Sequence, residues 1–205
     1  MAVFPIRVFG DPVLRQRAAE IEEIDAKIVR LSEEMIETMY AAPGVGLAAP
    51  QVGIERRIFV YDVGEGPMTV INPRIVESRG EWEYEEGCLS VPDLHWPIVR
   101  PMEVHLVGYD VQGNEISIEA DELLGRVLQH ELDHLNGILL IQHLDKDQRN
   151  GAMRVLRSRA FADAAGSGSG LSGFSGVAEV AGVAEVAEVA DKGGSYESGG
   201  SSLDA

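Results

Sequence analysis

Near Phe161 the chain changes character, and that break sets the size of anything it can fold. From Gly166 the 205-residue sequence reads Gly-Ser-Gly-Ser-Gly-Leu-Ser-Gly, then a Val-Ala-Glu near-repeat over residues 177–190, then a second Gly/Ser run. Gly/Ser stretches behave as flexible coil. A repeat of about three residues matches neither a helix nor a strand. Residues 162–205 are therefore expected to form a low-complexity, disordered tail, and residues 1–161 a single catalytic-sized domain. With 45% hydrophobic residues, that length can bury a substantial core.

Several classes fall away on composition. The opening Met-Ala-Val-Phe-Pro-Ile-Arg has no basic and apolar leader pattern, and no run approaches the roughly 20 apolar residues of a membrane span. A lone cysteine, Cys88, forbids an internal disulfide and suits a reducing compartment. A net charge of −17 repels phosphate, which argues against a general or sequence-specific nucleic-acid binder. The expectation is a cytoplasmic protein with no membrane partner.

Within the domain, Ile24, Ile28, Leu31, Met35 and Met39 recur at three- and four-residue steps, which predicts a helix over 25–41, ended by Pro43-Gly44. Strands are expected over Arg57–Val63, over Met68–Ile71 with a stop at Asn72-Pro73, and over Ile75–Ser78. Glu103–Tyr109 and Glu115–Glu119 flank Gln112-Gly113-Asn114, a hairpin signal. A second helix should run from Asp121, as N-cap, to Asn136, with Gly137 as the left-handed residue beyond it. Helix, mainly antiparallel strands, then helix is an α+β order.

The chemistry concentrates in His130-Glu131-Leu132-Asp133-His134 on that second helix. Side chains four apart share a helical face, so both imidazoles can reach one cation, while Glu131 lies beside them and can reach a metal-bound water. Leu123, Leu124, Val127 and Leu128 turn this face inward. Two histidines leave a divalent cation short of ligands. The position of a third histidine six residues on holds Leu140, His143 is offset, and no glutamate follows Glu131 before Glu179. Cys88 remains, in Glu85-Glu86-Gly87-Cys88-Leu89-Ser90, and a thiolate is a strong ligand for zinc or ferrous iron. A third segment, Gly44-Val45-Gly46-Leu47-Ala48-Ala49-Pro50-Gln51, permits close backbone approach but lacks the Lys of a phosphate loop. By itself it also reads as a tight helix-to-strand turn.

Together the three segments resemble peptide deformylase, whose motifs GxGLAAxQ, EGCLS and QHExDHLxG stand here at Gly44–Gln51, Glu86–Ser90 and Gln129–Gly137. The likeness extends over roughly residues 5–160. It implies an α+β fold of mainly antiparallel strands around a central HExxH helix, with an N-terminal helix and a C-terminal helical extension. It implies further that Cys88, His130 and His134 hold one divalent metal, iron(II) in the cell with zinc or nickel accepted in preparations. Glu131 would be the general acid/base, with the Gln51 amide and the Leu89 backbone N–H as oxyanion donors. Gly46 would bind the substrate backbone, and Val45, Leu123 and Val127 would line a methionine pocket with His130 at its base. Glu86 would pair with Arg100 to brace the metal loop. The implied substrate is an N-formylmethionyl peptide, cleaved to formate and a free N-terminus. Arg126, one turn before His130, reads first as a solvated surface arginine and second as a residue serving the peptide's path, and Trp82 and Trp96 either line a groove or pack in the core.

Lys146, Arg149, Arg154 and Arg157 fall within roughly a 140° arc of a following helix, with Arg159 nearby. In position and charge, this segment, Lys146–Arg159, resembles the extension by which some deformylases dock on the ribosome. Two other functions compete: a metal-dependent peptidase, against which the missing downstream ligand argues, and a non-catalytic ribosome-associated module, against which the intact motifs argue.

Overall fold

The computed structural model describes residues 3–166, with side chains to residue 159. Three helices and two antiparallel sheets make up these residues. The first helix, α1 (Ala26–Ala41), starts where the Asp25 carboxylate accepts from the N–H groups of Lys27 and Ile28, which satisfies two of the donors a helix start leaves open. Its apolar face buries Met35 and Met39 completely and packs Ile28 and Leu31 against Leu47, Ile58, Val60 and Ile71.

Five strands form the larger sheet, in the order β1 (Gly46–Ala48), β2 (Ile58–Tyr61), β3 (Met68–Arg79), β6 (Glu103–Tyr109) and β7 (Glu115–Ala120). The smaller sheet is a hairpin of β4 (Trp82–Cys88) and β5 (Val91–Arg100). The predicted stop at Asn72-Pro73 is instead a bulge inside one long strand. Asn72 takes φ +49°, a conformation asparagine tolerates, and its side chain exchanges two hydrogen bonds with the Ile21 backbone. The register with β6 slips there and resumes, and proline sits where a ladder N–H is not needed. The turn between β6 and β7 forms as expected, with Gly113 at φ +83° and the Asp110 carboxylate accepting from the N–H groups of Gln112 and Asn114.

α2 (Glu122–Leu135) lays Val127, Leu128 and Leu135 against Ala48, Phe59, Val70 and Leu106 of the larger sheet. Asp121 occupies its N-cap position, but its side chain makes no capping bond. Beyond the C-terminus Gly137 has φ +72°, and a Cβ there would fall within 2.6 Å of the Arg15 carbonyl oxygen, so only glycine fits. α3 (Lys146–Gly166) begins where the Asp145 carboxylate accepts from Asp147 and Gln148. It docks Ala152 and Leu156 into a cluster with Leu14, Val91, Ile98 and Leu140. This helix crosses the boundary expected at residue 161; the rest of the proposed tail, from 167, lies outside the described residues. No helix among the described residues is long and apolar enough to cross a membrane.

Candidate metal centre

α2 presents His130 and His134 on one face, their ring centroids 5.1 Å apart. The end of the β4–β5 hairpin brings Cys88 to them from a different part of the chain, with Sγ 3.2 Å from His134 Nε2. The three donor atoms all lie within 4.8 Å of one another. Bonds of about 2.3 Å to sulfur and 2.0–2.1 Å to nitrogen at tetrahedral angles separate donors by roughly 3.5 Å, so this triangle is of the right size for a transition metal. Two further observations fit a cation. The set of one sulfur and two imidazole nitrogens is borderline-soft, as zinc and ferrous iron prefer. The buried Glu131 Oε2 also lacks a protein partner, leaving an acceptor aimed at nothing the chain supplies.

Electrostatics follow from this crowding. Burial opposes ionisation of Cys88, yet the facing charge of His134 and hydrogen bonds from both imidazoles carry the thiol well below its ordinary range. Burial also works against a charged His130, but the bonds to Cys88 and Glu86 raise it well above the usual imidazole value. Glu131, 4% exposed, is pushed up to about 7 by burial against the pull of His130 and His134. A carboxyl poised there can both take and return a proton near neutral pH.

Glu131 lies directly over Gly46, where an added Cβ would come within 2.9 Å of the Glu131 carboxyl carbon. Gln51, 2% exposed, accepts the Ala48 N–H at Oε1 (2.8 Å). That bond turns its amide nitrogen toward Ser90 Oγ (3.4 Å) and Cys88 Sγ (3.9 Å). Leu89 follows Cys88 at the hairpin turn, its side chain packed with the α1 cluster. Val45, Leu123 and Val127 belong to the same apolar cluster on the α2 side.

Glu86 and Arg100 meet in a two-pronged ion pair, 2.7 and 3.1 Å. The second Glu86 oxygen also accepts from His130 Nδ1 at 2.9 Å, which leaves Nε2 as that ring's free ligand atom. Although burial raises Glu86, the bonds from His130 and Arg100 hold it well below the usual carboxylate range. Arg126 corrects the sequence reading. It is 4% exposed and donates to Glu86 Oε1 (2.8 Å), the Ile98 carbonyl (2.9 Å) and the Trp82 carbonyl (2.6 Å). Its position one turn from His130, on the ligand face, was the available signal. Asp133 and His143 were also missed: Asp133 Oδ2 accepts from Arg100 and from His143, both at 2.7 Å. Trp82 stacks on Tyr84 and under Arg126, and Trp96 packs against the α3 cluster.

The basic segment is partly consumed by the fold. Arg149 donates to the carbonyls of Ile141, Gln142 and Leu144, and Arg159 to the Pro92 carbonyl. Lys146, Arg154 and Arg157 remain exposed.

A family model described as Polypeptide deformylase matches residues 3–150. A peptide deformylase of Clostridium botulinum is 50% identical over 146 residues, covering 71% of this chain and 99% of that protein. The crystal structure of a peptide deformylase from Legionella pneumophila superposes with a TM-score of 0.75 at 39% identity, over 80% of this chain and 98% of that one. One from Ehrlichia chaffeensis in complex with actinonin gives 0.75 at 40% identity, over 78% and 98%.

Proposed function

The chain belongs to the polypeptide deformylase family of hydrolases, and from that premise we propose that it removes the formyl group from the N-terminal methionine of nascent peptides, releasing formate. The observation that carries this reading is the convergence of Cys88, His130 and His134, with the Glu131 carboxylate beside them. Cys88, His130 and His134 would hold a divalent cation, which would supply a Lewis acid and lower the pKa of a bound water toward about 7.

Glu131 takes the proton of the attacking water and returns it to the departing amine, a double duty that its value of about 7 supports. The Gln51 amide and the Leu89 N–H donate to the oxygen that gains charge, each donor being worth about 2.7–4 kcal/mol in such sites. Support for Gln51 comes from its anchored Oε1, which fixes the direction of its nitrogen. Gly46 pairs through its backbone with the substrate, and Val45, Leu123 and Val127 receive the methionine side chain with His130 at the pocket base. Glu86, bonded to Arg100 and to His130, keeps the imidazole in the tautomer a ligand needs. In this reading α2 is the central helix of the fold, residues 1–161 are the catalytic unit, and 162–205 a tail.

The resident metal is iron(II) in the cell, with zinc or nickel accepted in preparations, since a thiolate and two imidazoles suit all three. Anaerobic purification and elemental analysis test that assignment. The enzyme works in the cytoplasm, where Lys146, Arg154 and Arg157 offer a face to the ribosome. One assay tests the whole: the full chain should release formate from formyl-Met-Ala-Ser, stop after chelation, and resume when metal is restored. A metal-loaded chain that releases no formate defeats the proposal.

A further inference from the structure

Arg126 is absorbed by none of the roles above, yet both of its terminal nitrogens are engaged, in three hydrogen bonds, and only its Nε is left without a partner. It stands on α2 four residues before His130, so the two side chains leave the helix on the same face, one turn apart. They take hold of different oxygens of one carboxylate: Arg126 donates to Glu86 Oε1 at 2.8 Å and His130 to Oε2 at 2.9 Å. Two grips from one rigid helix add a second hold on that carboxylate, from α2, to the two-pronged one that Arg100 supplies. Arg100 rises from the end of β5 and is shared with Asp133.

The same guanidinium reaches both strands of the hairpin. It donates to the Trp82 carbonyl on β4 and to the Ile98 carbonyl on β5, and it lies 5.0 Å from the centre of the Trp82 ring. That hairpin carries Cys88 at the far end of β4, whereas α2 carries both imidazoles. One planar fork thus ties the element that brings the sulfur to the element that brings the nitrogens, and at the same time orients one of the rings. A lysine has no such fork: a single ammonium can reach Glu86 but cannot hold two carbonyls in fixed directions as well.

We propose that Arg126 is a positioning residue for the metal centre, setting the spacing and orientation of Cys88, His130 and His134 through Glu86 and the β4–β5 hairpin. This rests on the metal-site reading above. Partners of this outer kind typically contribute about 10–100-fold in metal affinity.

The test compares the full-length wild type with Arg126→Met and Arg126→Lys, each stripped and then titrated with cobalt(II). Three readouts are taken: cobalt affinity by chelator competition, the thiolate-to-cobalt and ligand-field absorption bands, and the melting temperature of the metal-free protein. Arg126→Met should bind cobalt about 10–100-fold more weakly, with displaced or weakened bands, and Arg126→Lys should recover part of both. A merely structural arginine would lower the metal-free melting temperature and leave the bands unmoved. If Arg126→Met does not fold, Arg126→Lys decides on the same readouts. Wild-type affinity within twofold and unchanged bands in the folded variants overturn this inference alone. Failure of the wild type to bind cobalt at all overturns the metal site itself.

Discussion

Replacing Gly46 by alanine gives a sharp test of how Glu131, the proposed acid/base group, is housed. Gly46 lies on β1, paired with Tyr61, and its backbone needs no left-handed conformation. Nothing about the main chain therefore resists a methyl group. The space does: the three nearest atoms a Cβ would meet all belong to Glu131, with the carboxyl carbon at 2.9 Å and Cγ at 3.0 Å, against an ordinary contact of 3.4–4 Å. The carboxylate must move by on the order of 1 Å, and displacements of that size in a reacting group cost about 100-fold in rate. Overpacking a filled site should also destabilise the fold by about 1–3 kcal/mol. Because the three closest contacts are all with one side chain, most of the penalty should disappear in a Glu131→Ala background. There, alanine in place of glycine in a strand should gain about 0.5–1 kcal/mol. Formate release and urea denaturation of the two single variants and the double variant measure both effects. A stability cost for Gly46→Ala that is the same with and without Glu131 would show that the contact does not govern the site.

Glu131→Ala should itself retain a full equivalent of metal by elemental analysis while losing about 10²–10⁴-fold in turnover; near wild-type formate release would remove Glu131 from its role. Asp62 is held below the usual carboxylate range by the Tyr40 hydroxyl and the N–H groups of Gly64 and Gly66. A depressed folded value contributes stability that is present above about pH 3.9, the unfolded value, and lost as pH falls through the folded one. Urea denaturation from pH 6 to pH 2 should thus show a steeper acid limb for wild type than for Asp62→Asn, and superimposable limbs would contradict the assignment. Charge reversal at Arg154 and Arg157 should weaken co-sedimentation with ribosomes and leave hydrolysis of a formyl tripeptide unchanged. Arg149 and Arg159 are unsuitable for that test because their guanidinium groups hold backbone carbonyls.

The helices and the β6–β7 hairpin were legible because their signals are local. A 3.6-residue apolar period and a glycine at a required left-handed position each act within a few residues, whereas Asp121, expected to cap α2, stands at its start without a capping bond. The β4–β5 hairpin was not. Its less exposed positions alternate correctly along the half-buried Trp82 and Tyr84 and the buried Glu86, but the last of these is a charge, and Pro92 and Pro97 interrupt the partner strand. A buried carboxylate reads as solvent-facing until its donors are known, and those come from residues 14, 40 and 44 positions away. Arg126 was misread for the same reason, as the other half of the same long-range contact. Cys88, by contrast, could be singled out early because its chemistry, unlike its environment, is carried by the residue itself.

The cluster around Glu86 makes sense only if its purpose is geometry. Arg100, Arg126 and His130 surround one carboxylate that is 5% exposed, and Asp133 answers the surplus charge through Arg100. Taking such groups out of water costs several kcal/mol each, and apolar residues of equal volume often serve stability as well or better. What apolar residues cannot do is fix direction. The hairpin and the five-stranded sheet share no ladder, so no backbone hydrogen bonds of a common sheet fix one against the other. Metal–ligand distances tolerate about 0.2 Å. Directional bonds from α2 to both hairpin strands and to the carboxylate behind His130 supply fixed directions that packing lacks, and they do so one turn away from His130, a proposed ligand.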